Sequence, residues 1–265
     1  MNVLFSASKH IRRLFLCCLL LVGLLRPGLV LADSASFVKR LDPTDFRTRL
    51  ELRDKIQEPQ FGGLRNIVLP KIDYAFSKTF ALRIELPMAT WDTGRSGLDA
   101  QTGMGDVSIR AALRLLRTPG FALVAGVEGI LDTASDSLLG YGRNVVAPFM
   151  FMSFDAPTLH STIFPNLQHF HAVDGDSNLA QVNYTQGKLF VLTRWPNRFY
   201  TGTEALVIVD HVRNNRMGAT LEVEAGRFLD QHVAVWVRPG VGLAGDDIPQ
   251  IYNWNVEVGL RYLFD

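Results

Sequence analysis

Eleven ionisable residues carry the clearest chemical signal in this sequence. Arg83 with Glu85 and Glu222 with Glu224 lie two apart, Arg110 with Arg114 and Glu257 with Arg261 four apart, and Glu128, Glu204 and Arg238 fall in segments of the same character. On an extended strand, spacing by two or four puts both charges on one face. Acids and bases gathered on a surface shielded from bulk water stabilise one another, and they line a path on which solutes are sorted by charge and size. Counting across the intervening turns gives two ladders of alternating sign, Glu85 to Arg110 to Glu128 and Glu222 to Arg238 to Glu257.

Other chemistries find less footing. Nucleophilic attack by a strand serine with histidine as base would need a His-x-Ser pair on one face. None of His160, His169, His171, His211 and His232 has serine two positions on. His160-Ser161 points its two side chains to opposite faces, so no enzymatic role is expected. His169-Phe170-His171, with Asp174 and Asp176 after it, has the composition of a metal site, but next to a loop it reads as solvated polar surface, and no metal or other cofactor is expected. Gly103-Met104-Gly105-Asp106 looks like a phosphate loop but lacks the lysine and the following helix, so it reads as the bent entry to a strand with Asp106 turned inward.

The elements that must carry these charges are strands. Phe80, Leu82, Ile84, Leu86 and Met88 alternate with Ala81, Arg83, Glu85 and Pro87, and the same period of two runs through Asp106–Leu115 and Met217–Gly226. Strands of about ten residues, separated by turn residues, are the signature of a membrane strand. Twelve are read, near 47–56, 64–76, 79–89, 103–117, 120–132, 144–154, 160–172, 180–193, 198–211, 216–229, 232–244 and 251–264. Short connections alternate with longer ones rich in Gly, Asp, Ser and Asn, except the ninth, at Asn214-Asn215, which is short where a long loop is expected. Pro148, Pro165 and Gln186-Gly187-Lys188 interrupt the alternation, so bulges or register shifts are expected in strands six to eight. Aromatic girdles are expected from Phe76, Phe80, Phe121, Phe154, Trp195, Phe199 and Tyr262 at one end and from Trp91, Tyr184 and Trp254 at the other.

Residues 1–32 read as an export segment: Lys9, Arg12 and Arg13 come before the apolar Leu14–Leu25, and Val30-Leu31-Ala32 resembles a cleavage site. Cleavage after Ala32 removes both cysteines, Cys17 and Cys18, so no disulfide is expected. It also removes four of the 27 basic residues, leaving 23 against 26 acidic, a net charge near −3 that gives nucleic-acid binding no support. The expected organisation is a signal peptide (1–32), a periplasmic segment (33–46) and a membrane barrel (47–265).

The C-terminal run Trp254, Val256, Val258, Leu260, Tyr262 and Phe264 resembles the assembly signal of bacterial outer-membrane barrels, with Asp265 after the final Phe as a departure. The resemblance implies recognition by the barrel-assembly machinery. Gly103-Met104-Gly105-Asp106-Val107-Ser108-Ile109-Arg110 resembles the strand opening of the phenol-degradation meta-pathway family of outer-membrane transporters, which implies passage of small, including aromatic, compounds. The expectation is therefore an all-β protein, a single antiparallel up-and-down transmembrane barrel of about 12 strands in the outer membrane. It would contact lipid and lipopolysaccharide and pass or bind a small-molecule permeant through a narrow charged lumen. The alternative is a barrel with a blocked lumen whose external loops bind lipopolysaccharide or a protein.

Overall fold

The computed structural model describes residues 38–97, 99–174, 181–245 and 248–264. The expected export segment lies outside them, as do Asp176 and parts of the connections around 173–179 and 245–250. Fourteen strand segments are present: β1 Arg49–Pro59, β2 Leu64–Ala75, β3 Phe80–Glu85, β4 Met88–Asp92, β5 Gln101–Met104, β6 Ser108–Thr118, β7 Phe121–Ile130, β8 Val145–Ala156, β9 Ser161–Ala172, β10 Asn183–Arg194, β11 Phe199–Asp210, β12 Arg216–Phe228, β13 Val233–Ala244 and β14 Tyr252–Leu263. Among the described residues no helix is long and apolar enough to cross a membrane.

The fourteen segments make twelve staves. β3 and β4 are one strand interrupted at Leu86-Pro87, for β2 pairs with both; β5 and β6 are likewise one strand, pairing with β4 and β3 in turn. Pro87 has no N–H to offer a ladder, and the break sits beside it. The amides of Leu86 and Gly105 bridge the gap, donating to the carbonyls of Pro70 (3.1 Å) and Pro87 (2.8 Å). Every stave is antiparallel to its neighbours, and β1 pairs with both β14 and β2, which closes the sheet. Closure leaves no unpaired strand edge, the condition for β-structure in hydrocarbon.

The outside is a band of exposed large apolar side chains that includes Leu52, Ile109, Leu113, Leu167, Leu189, Val207, Val223 and Leu260. A twelve-residue strand spans roughly 40 Å and, tilted by about 40°, crosses about 30 Å, the thickness of a bilayer core. Charged and polar side chains take the opposite face, so the barrel is built to span a membrane with its polar residues inside. Toward the end where β1 begins and β14 finishes, rings touch in pairs, Phe76 with Tyr74 and Phe80, Phe121 with Phe154, and Tyr262 with Phe264. Tyr184 departs from the expected opposite girdle. It is 4% exposed and stacks on Phe170 at 4.4 Å, because it shares a face with the inward Gln186 and Lys188.

The prolines do less than expected. From Val145↔Ala172 to Ala156↔Ser161 the β8–β9 register is constant, and only the ladder positions at Ala147-Pro148 and Met152-Ser153 drop out. A proline in a closed barrel therefore costs ladder bonds without moving its strand. Register shifts occur elsewhere, between Arg114 and Leu116, Glu58 and Pro59, and Ala219 and Thr220. The ninth connection keeps its short form, turning through Asn214 and Asn215 at φ 53° and 58°.

Candidate functional site

Inside the barrel lies a cavity of about 490 Å³ with a charged middle. Strand parity aims the charges, and burial then forces them to pair. Glu51 is the most enclosed acid and is held by Lys71 at 3.0 Å and by the guanidinium groups of Arg53 and Arg261. Asp73 accepts two hydrogen bonds from Arg83 (2.5 and 3.3 Å) and also faces Arg49 at 3.2 Å. Glu222 accepts from the Tyr252 hydroxyl and the Asn255 amide, both at 2.6 Å, with Lys55 at 3.8 Å. Arg238 donates to Glu224 and stands 3.7 Å from Glu222 and 4.0 Å from Glu257.

The candidate residues fall around this cavity with two exceptions. Arg83, Glu85, Arg110, Glu204, Glu222, Glu224, Arg238, Glu257 and Arg261 line it. Glu128 stands one layer back, holding Arg110 at 2.5 Å and accepting from the Gln168 amide at 2.7 Å. Arg114 lies at the end where β1 begins, its guanidinium donating to the Thr44 carbonyl at 3.0 Å. In the ladder through Arg238 the step to Glu257 is directly across, as expected, whereas Glu222 lies across from Gly240 and reaches Arg238 diagonally at 3.7 Å. The other needs correction: Arg83, not Glu85, lies across from Arg110, and Glu85 lies across from Ser108. One extra residue between β5 and β6, in residues 105–107 opposite Pro87, offsets the β4–β5 pairing from the β3–β6 pairing, which counting across a loop does not reveal.

A whole group of lining charges was not singled out from the sequence: Arg49, Glu51, Arg53 and Lys55 on β1, Lys71 and Asp73 on β2, and Lys188 on β10. The signal was available on β1, where these four alternate with Leu50, Leu52 and Ile56, leaving Asp54 as the one breach of the pattern.

Each end of the barrel carries a segment that is not a strand, packed against inward-facing side chains. At the end where β1 begins, Val38 and Leu41 are buried among inward-facing Phe164, Leu192, Tyr200, Phe228, Trp236 and Leu263. The segment is tied down by the Thr44 hydroxyl, 3.3 Å from that of Ser153, and by Asp45, 3.7 Å from Arg117. Arg40 adds hydrogen bonds to the carbonyls of Gln231 and Phe264. Leu41, Pro43 and Phe46 thus form the cavity floor. Nothing in the sequence signals that residues 38–46 pack against the barrel end, because a short non-periodic segment carries no pattern that tells covering from trailing.

At the far end, Ile248 and Ile251 pack with Ile130, Phe170, Tyr184 and Ile208, and Tyr141 joins them with its hydroxyl 3.2 Å from that of Tyr184. Burial raises the Tyr141 phenol above its ordinary range, so it stays protonated and able to donate. The loop that carries Tyr141 is held by Asp106, whose carboxylate accepts from the amides of Thr133 (3.2 Å), Ala134 (3.1 Å) and Tyr141 (2.5 Å). The glycines of Gly103-Met104-Gly105-Asp106 make room for this: a Cβ on Gly103 would come within 1.9 Å of the Ser135 hydroxyl, and one on Gly105 within 3.2 Å of the Leu139 carbonyl. Asp106 does turn inward, and what it binds there is the loop.

His169, His171 and His211 sit together at the outer-loop end, His169 and His211 each hydrogen-bonding the Thr185 hydroxyl (3.0 and 2.9 Å). Among the described residues no group of three or more His, Cys, Asp or Glu is arranged to hold a metal ion.

No family model matches the chain, and no curated protein matches it. Its fold is that of solved outer-membrane channels. It superposes on an outer membrane channel from Pseudomonas putida F1 with a TM-score of 0.69 at 15% identity, covering 84% of this chain and 99% of that one. The NanC porin gives 0.60 at 10% identity, covering 80% and 98%, and the KdgM porin in complex with disordered oligogalacturonate 0.57 at 12%, covering 82% and 99%.

Proposed function

We propose that this chain is a bacterial outer-membrane channel that passes a small molecule through the charged lumen, with residues 38–46 as its inner gate and the loop held by Asp106 as its outer one. The observation that carries the reading is the division of labour inside the barrel. Twelve paired staves form the wall, whereas the segments across its two ends are short and held by a few buried apolar side chains and hydrogen bonds. Such closures can open while the wall stays paired, since local opening costs far less than breaking a closed sheet. Twelve strands also fall between the eight that enclose little but side chains and the sixteen that leave a wide pore.

The apolar outer band and the likeness in fold to outer-membrane channels support the localisation, and the C-terminal strand supports assembly by the machinery that inserts such barrels. The resemblance to the phenol-degradation meta-pathway family, which implies small permeants, aromatic ones included, rests on the Gly-Met-Gly-Asp strand opening with the terminal strand and the overall length. The eleven candidate charges, with those on β1 and β2, are proposed to sort permeants.

Planar-bilayer recording of the Val38→Asp/Leu41→Asp variant tests the proposal. Two carboxylates in the apolar floor cannot stay buried unpaired, so discrete conductance steps larger and more frequent than those of the parent are expected. A variant that folds and remains silent would instead favour a blocked barrel whose outer loops bind lipopolysaccharide or a protein.

A further inference from the structure

The cavity is lined by ten cationic and seven acidic side chains, an excess of three positive charges. Among the more open of these side chains cations again outnumber acids, while the closed ones are most of the acids together with Arg49, Lys71, Arg238 and Arg261 at 4–13%. Arg53, Lys55, Arg83, Arg110 and Lys188 keep 19–33% of their side chains open, whereas Glu51 keeps 1%, Glu224 3%, Glu257 8% and Glu222 10%; Glu85 and Glu204, at 24% and 20%, are the open acids. A permeant in the cavity therefore meets mainly N–H donors. Arg110 shows how this arises: its Nε and Nη2 go to Glu128 in the wall, and Nη1 lies outside that pair.

The opposite wall differs in kind. In a closed barrel of twelve staves β9 stands half-way round from β1, and β10 half-way round from β2. Phe151, Phe164 and Phe190 line the cavity from β8, β9 and β10, with Phe164 and Phe190 stacked at 5.9 Å. Facing them from β1 and β3 are Arg53, Lys55 and Arg83. The cavity thus carries cations without rings on the β1–β3 side and, on the β8–β10 side, rings together with Lys188, and its volume lies in the range of small-molecule sites.

We propose that the cavity is a binding site for small amphipathic acids, a carboxylate toward Arg53, Lys55 and Arg83 and an aromatic or apolar body against Phe164 and Phe190. This names a substrate class for the passage proposed above and rests on that reading only for the claim that the ligand crosses the membrane.

Titration calorimetry on the full barrel in detergent micelles, corrected for empty micelles, tests it with four probes. 3-Phenylpropionate carries charge and ring, 3-phenylpropionamide the ring alone, propionate the charge alone, and 3-phenylpropylamine the opposite charge. The acid is expected to bind at least tenfold more tightly than the amide or propionate, and the amine not at all. Lys55→Met should weaken the acid at least fivefold and leave the amide unchanged. Glu222 keeps Tyr252, Asn255 and Arg238 in that variant, so it should fold, and the heat-dependent gel shift of an intact barrel verifies this. Phe190→Leu should weaken acid and amide alike. Equal binding of acid and amide, tighter binding of the amine, a Lys55→Met barrel that binds the acid as before, or no heat from any probe would overturn the proposal. Channel conductance without acid binding removes this inference and leaves the passage standing; acid binding in a barrel that never conducts does the reverse.

Discussion

At the residue scale, the interior is held by charges that tolerate burial only as a set. Arg238 binds Glu224, which is nearly enclosed, and lies within 4.0 Å of Glu222 and Glu257. Removing one member of a buried pair strands the other, at a cost of about 3–5 kcal/mol. Arg238→Met should therefore lower the urea midpoint of the folded barrel by that much in free energy, and Arg238→Met/Glu224→Gln should recover a large part of it. If the single variant were as stable as the parent, the pairing would be ornamental. These charges were legible in the sequence wherever they alternate with clear apolar neighbours, as at Arg83 and Glu85 or Glu222 and Glu224. Which acid meets which base was not, because a one-residue offset near Pro87 decides whether Glu85 or Arg83 faces Arg110.

At the element scale, strands and closures obey different rules. The strands were readable because each is two-sided: Leu167 lies 54% exposed on the outside of β9, while its neighbour Gln168 is 2% exposed inside. A charge at Leu167 must enter hydrocarbon, so Leu167→Arg should destabilise the barrel in lipid vesicles by about 2–4 kcal/mol if the residue lies near the bilayer midplane. A loss near zero would place β9 outside the membrane. Residues 38–46 and the loop around Tyr141 have no such period, and their docking depends on single anchors. Asp106 is the plainest, for its carboxylate takes three backbone amides of the outer loop. Asp106→Ala should release that loop, and limited proteolysis is expected to cut within residues 131–144 at least tenfold faster than in the parent while the strands stay protected. Unchanged cleavage would mean that the packing of Leu139 and Tyr141 suffices without the anchor. The Gly-Met-Gly-Asp motif was visible in the sequence as a bent strand entry, but its purpose was hidden because its partners lie some thirty residues on, in a loop whose path the sequence does not determine.

At the scale of the whole molecule, a closed twelve-stave wall surrounds a charged cavity, with a short apolar segment packed toward each end as a proposed lid. The wall follows from alternation that any reader of the chain can see; the chamber follows from which residues the lids leave uncovered, and that emerges only in three dimensions. The account rests on the inner lid being a gate and not a fixture. The chain offers a direct way to ask, since Cys17 and Cys18, in the segment expected from the sequence to be cleaved, are its only cysteines and Thr44 and Ser153 bring their hydroxyls within 3.3 Å. Thr44→Cys/Ser153→Cys can be locked by oxidation and released by reduction in one bilayer. The prediction is silence when oxidised and discrete steps, at least as frequent as the parent's, once reductant is added; identical conductance in both states, open or closed, would contradict the gate.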